Sequence, residues 1–174
     1  KAHPVVTTHI AAWEAVAAAE ARLRRENLGA LVADLYVFSQ WHDWIDPNSK
    51  TAWKTAEEGA QAYLDFNRRY AELASLSGVP FWIIAQGFSS IWTRKIDGRV
   101  ESRPNTRAPT AAETRFQVWA SILSGAKAVF FFTYQSFQEP TAESKATLEE
   151  WETNVGLRTL KGEETEALKE LGAI

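Results

Sequence analysis

The 174-residue sequence predicts an α/β fold in which parallel strands alternate with helices in four βα units. Three observations predict it. Val79 to Phe88 is a short apolar run entered through Pro80 and left through Gly87, as in a strand buried on both faces. Similar runs recur near 4–7, 30–38 and 127–134, separated by segments with helical spacing of apolar residues. Polar and aromatic residues gather after the strand ends, where parallel sheets place their ligands.

Taken in order, Pro4 to Thr7 gives the first strand, and an alanine-rich helix follows to about Asn27, with Thr8 as its N-cap. Ala30 to Phe38 is the second strand, with Val32, Asp34 and Tyr36 on one face. A loop dense in aromatic and polar groups follows, containing Trp41, His42 and Trp44. Thr55-Ala56-Glu57-Glu58 has the spacing of a capping box, and Tyr63, Phe66, Tyr70, Leu73 and Leu76 form the apolar stripe of the helix it opens. The third strand lies near 80–86. Ser89 to Ala108 reads as a long irregular loop with a turn at Asp97-Gly98, suited to a small hairpin tip. A second capping box, Thr110 to Glu113, opens a helix with Phe116, Trp119, Ile122 and Leu123 as its buried stripe. The fourth strand lies near 127–134, and the tail from Glu143 reads as helical, with a terminal helix over Glu163 to Leu171.

Composition narrows the function. A formal charge of −3 and a pI near 5.7 give no electrostatic reason to expect nucleic acid or an anionic membrane. No apolar run approaches the roughly 18 residues of a membrane span. Cysteine is absent, which removes thiolate metal sites and cysteine nucleophiles. His3, His9 and His42 lack metal-site spacing, and neither GxGxxG nor GxxxxGK[ST] follows a strand, so no metal or cofactor is expected. The eight tryptophans are many for this length, and several fall in polar stretches, where exposed aromatics mark binding.

Four βα units are too few to close a (β/α)₈ barrel, which takes about 250 residues. The chain nonetheless resembles the carboxyl-terminal half of a glycoside-hydrolase-type TIM barrel, of the beta-galactosidase-like and agarase-like group. The resemblance is carried by Ala33 to Tyr36, by Pro80 to Phe88, and by Arg107 to Arg115 continuing through Gly125 to Tyr134. It implies one partial barrel domain over residues 1–174, with the remaining half supplied by another segment or chain. It also implies an oligosaccharide or polysaccharide substrate and favours a secreted or periplasmic location.

Glycoside hydrolysis needs two carboxyl groups, about 5 Å apart in retaining enzymes and about 6.5–9.5 Å apart in inverting ones. Under the resemblance, Gln86 stands where a nucleophilic glutamate belongs. An amide cannot attack, but it can hydrogen-bond a sugar hydroxyl or orient a substrate group. Gln86 therefore reads as a natural binding residue, as a lost catalytic residue, or as a deliberate Glu→Gln replacement. Asp34 is either a buried structural carboxylate or a general base or hydroxyl ligand, with Tyr36 beside it. Trp41, His42, Trp44 and Trp92 are candidate sugar contacts, and Tyr134 and Gln135 close the last strand as further contacts. Arg94 belongs to a basic cluster with Lys95, Arg99, Arg103 and Arg107, either a solvated face or a site for an acidic sugar. The leading expectation is part of a glycoside hydrolase cleaving O-glycosidic bonds at the carboxyl ends of the strands. The alternative is a non-catalytic carbohydrate-binding protein without the carboxylate pair.

Overall fold

The computed structural model describes residues 5–9, 29–34, 36, 55–136, 141, 148 and 150–174. The chain divides into two compact units, the first formed by residues 1–37, 53–85 and 116–131, the second by 38–52, 86–115 and 132–174.

The first unit is built on a sheet of strand order β1-β2-β3-β6. Its strands are β1 (Val5–His9), β2 (Ala30–Asp34), β3 (Phe81–Gln86) and β6 (Ala128–Phe132). β1 pairs with β2 and β2 with β3, both in parallel. The first four residues of β2 are all buried, as an uninterrupted apolar run requires. β3 alternates instead, with Phe81, Ile83 and Ala85 buried and Trp82 and Ile84 half-buried.

Helix α1 (Ala56–Leu76) covers this sheet, and it starts where the local chemistry dictates. Thr55 is extended, and its hydroxyl accepts from the Glu58 backbone N–H at 3.1 Å. Tyr63, Tyr70, Leu73 and Ala74 point into the core, with the Tyr70 and Phe81 rings 6.0 Å apart. Leu76, at the end of the predicted stripe, is exposed.

Helix α2 (Ala111–Leu123) reverses its expected orientation. Trp119, Ile122 and Leu123 were assigned to its buried face, yet Leu123 is 83% exposed and the other two nearly half so. The buried positions are Thr114, Gln117, Val118, Ala120 and Ser121. The reason lies on α1: Tyr63, fully buried, brings its phenol to 2.9 Å from Ser121 Oγ, which itself donates to the Gln117 carbonyl at 2.7 Å. Polar side chains with partners can be buried, so the helix turns its hydrogen-bonding face inward.

The second unit holds an antiparallel sheet of order β5-β4-β7, made of β4 (Ser89–Ile96), β5 (Arg99–Thr106) and β7 (Glu150–Val155). This finding overturns the predicted four parallel βα units. The chain is a mixed α/β fold with two small sheets, one with parallel pairings and one antiparallel, and not four parallel βα units. The segment read as a loop, Ser89 to Ala108, is mostly a hairpin. Asp97 and Gly98 both have positive φ, 50° and 75°, the turn that suits the twist of two antiparallel strands. Pro104 is tolerated because β5 is an edge strand, and a register shift lies beside it, where Ser90 faces Thr106 and Ile91 faces Pro104. The tail read as helical contains β7 and ends in the short helix α3 (Glu166–Leu171), capped by Thr165. The Arg115 guanidinium reaches Glu170 at 2.6 Å.

Candidate functional site

Of the four residues that end the strands of the first sheet, His9, Asp34, Gln86 and Phe132, one is a carboxylic acid. Asp34 terminates β2, paired in register with Ile84. Its carboxylate accepts a hydrogen bond at 3.2 Å from the phenol of Tyr36, which lies beyond the strand end and not, as predicted, within it. Burial pushes the Tyr36 phenol well above the usual tyrosine range, reinforced by the Asp34 charge and by the hydrogen bond to it. Tyr36 therefore keeps its proton at neutral pH, shared in the hydrogen bond with Asp34. The two residues form one half-buried acid–phenol pair within the first unit.

Gln86 belongs to the second unit and is fully buried. Its amide nitrogen donates to two backbone carbonyls, Phe88 at 3.1 Å and Arg107 at 2.8 Å. Both amide hydrogens are thereby engaged, and Gln86 ties the end of β3 to the segment that leaves β5. That segment is locked in turn by Arg107, whose guanidinium forks onto the Glu113 carboxylate while Thr110 bonds the same carboxylate through its backbone N–H at 2.8 Å. Burial opposes ionisation of Glu113, but hydrogen bonds from Arg107 and Thr110 outweigh it and hold the carboxyl below its ordinary range. Arg107 thus leaves the predicted basic cluster for a structural ion pair.

Trp92 and Arg94 share one face of β4, two residues apart, whereas Lys95 lies on the other. Arg94 stands opposite Glu101 on β5 and Glu150 on β7. Tyr134 is half exposed, and Arg158 donates to its hydroxyl at 2.7 Å while covering its ring at 5.8 Å. Gln135 is bridged to Arg158, whose other nitrogens bond the Gly162 carbonyl at 2.8 Å and Glu164 at 3.0 Å. Tyr134 and Gln135 are therefore brought together, around an arginine the sequence reading did not single out. Trp41, His42 and Trp44 lie outside the described residues.

Sequence reasoning also missed Ser90, Thr106 and Asn154, three buried polar residues in the second unit. A signal existed for Asn154. Glu150 to Val155 alternates charged or polar residues with Trp151, Thr153 and Val155, the period of a strand. Nothing marked Ser90 or Thr106.

Among the described residues no group of three or more His, Cys, Asp and Glu is placed to hold a metal ion. No helix among them is long and apolar enough to cross a membrane. No protein-family model matches the sequence, and no curated protein matches it.

Proposed function

We propose that this chain is a carbohydrate-binding part of a carbohydrate-active protein, with the Asp34–Tyr36 pair receiving sugar hydroxyls. The observation that carries the reading is the hydrogen-bonded acid and phenol at the carboxyl end of β2, the end at which parallel strands present ligand-binding groups. A carboxylate accepts hydrogen bonds from sugar hydroxyls, and so does the oxygen of a phenol whose own proton is given to that carboxylate. Together they present a set of acceptors to the hydroxyl rim of a pyranose ring.

Glycoside hydrolysis is the second reading, favoured by the position of Asp34 alone. In it Asp34 is one member of the carboxyl pair, and the other comes from outside the four strand ends. Gln86, an amide engaged by two carbonyls, does not supply it.

The test is calorimetric titration of the chain with methyl glycosides and short oligosaccharides, together with release of nitrophenol from aryl glycosides. Asp34→Asn and Tyr36→Phe are expected to weaken binding about tenfold each, the loss of a charge-assisted hydrogen bond in a desolvated site. Turnover abolished by Asp34→Asn makes the protein a glycosidase. Absence of both binding and turnover across the panel refutes the carbohydrate reading.

A further inference from the structure

The first sheet ends at β6, and among the described residues no strand lies beyond it. The Lys127 N–H donates to the Phe81 carbonyl at 2.8 Å, which turns that residue's backbone toward β3. Backbone direction alternates along a strand, so the N–H and C=O groups of Ala128 and Phe130 face the open edge.

An open edge is a template for pairing with another chain, and proteins guard such edges with charge, proline or polar residues. The other edges here are guarded. β5 carries Pro104 and alternates Arg99, Glu101 and Arg103, β7 carries Glu150 and Glu152, and β1 runs into Thr7, Thr8 and His9. β6 is Ala-Val-Phe-Phe-Phe, without a charge or a proline, yet none of its residues is buried. Phe130, at its centre, is 49% exposed on the face it shares with Trp82, whose ring lies 5.9 Å away.

The strand is complementary to itself. In an antiparallel pairing centred on Phe130, that residue meets its own copy and exchanges backbone hydrogen bonds with it through the groups at the open edge. On the same face Ala128 stands opposite Phe132, so a small side chain always meets a large one. On the other face Val129 stands opposite Phe131. No like charges are brought together, and the contact closes on itself about a twofold axis. We propose that β6 is a self-association edge, through which two copies of this chain join their first sheets into one continuous sheet.

Five residues a side fall well short of the roughly 20–30 of a stable interface, so the dimer is weak. The experiment is sedimentation equilibrium from about 10 µM to about 1 mM, the range of a small, transient contact. Wild type is expected to pass from monomer to dimer, and Phe130→Lys to weaken association about tenfold or more, because like charges then stand directly opposed. The chain has no cysteine, so a single introduced thiol reports the register. In the twofold pairing the two Phe130 Cα atoms are about 5.5 Å apart, within disulfide reach, and the two Ala128 Cα atoms about 14 Å apart, beyond it. Phe130→Cys is therefore expected to form a disulfide-linked dimer with oxidised glutathione, and Ala128→Cys is not. Should Phe130→Lys lose its circular dichroism, the two thiol variants decide by themselves. Equal cross-linking of both thiol variants, or growth beyond a dimer, overturns the proposal. A chain that stays monomeric at about 1 mM also overturns it, and leaves the edge to a strand of a different protein.

Discussion

Replacing Tyr63 by phenylalanine removes one oxygen from the packing of α1 against α2 and leaves the ring in place. The phenol is fully buried, 2.9 Å from Ser121 Oγ and 3.5 Å from the Gln117 carbonyl. Ser121 keeps its own acceptor, the Gln117 carbonyl at 2.7 Å, so the variant orphans no group. The cost at pH 8 is then the net value of one hydrogen bond, about 1 kcal/mol. Raising the pH changes the comparison. Burial pushes the Tyr63 phenol up from 10.0 to about 12, despite the opposite pull of hydrogen bonds with Ser121 and Asn67. A group whose pKa is raised on folding contributes its full stability below the unfolded value and loses it as pH climbs through the folded one. The window is therefore pH 10 to 12, and a gap of about two pH units corresponds to about 2.7 kcal/mol in total. Midway, at pH 11, roughly half of that is gone, about 1.4 kcal/mol. Urea unfolding followed by circular dichroism, on wild type and Tyr63→Phe at pH 8 and 11, reads the difference directly and cancels the other alkaline titrations. Wild type is expected to be the more stable by about 1 kcal/mol at pH 8, with the advantage gone or slightly reversed at pH 11. A difference that stays constant between the two pH values refutes the claim that this phenol is held neutral by burial. A variant as stable as wild type at pH 8 refutes the hydrogen bond to Ser121.

Two further outcomes follow from the packing. A Cβ on Gly156 would meet the Thr133 carbonyl oxygen at 2.4 Å and the Gln135 backbone at 2.9 Å, and backbone cannot swing aside. Gly156→Ala is expected to cost about 2–3 kcal/mol, read as a lowered urea midpoint, and an unchanged midpoint refutes the close approach. Leu123 is 83% exposed at the end of α2, so Leu123→Lys is expected to change stability by less than about 0.5 kcal/mol, and a large loss of stability would mean the helix faces the other way.

Much of the local structure was legible because its causes are local. The Thr55 capping box marks the start of α1, since the hydroxyl and the N–H it bonds are three residues apart. Asp97-Gly98 marks a hairpin tip because few residues adopt two successive positive φ values. The strands flanking that tip were not legible. Ser89 to Ile96 and Arg99 to Thr106 carry no clean apolar alternation, since the sheet they form buries only a few small polar side chains. Gln86 was found as a landmark from its place at the end of an apolar run. That its amide turns to the Phe88 and Arg107 carbonyls depends on a residue 21 positions away.

By itself the sequence determined where α1 and α2 begin, where the apolar strands of the first sheet run, and which residue types stand at the strand ends. Each depends on neighbours within a few positions. Only the tertiary structure decided the antiparallel sheet, the inward turn of Gln117 and Ser121, and the meeting of Ser90 with Thr106 and Asn154. The reason is the same in each case. Burial of a polar group is favourable or costly according to its partner, and here the partners lie far along the chain, Ser121 58 residues from Tyr63.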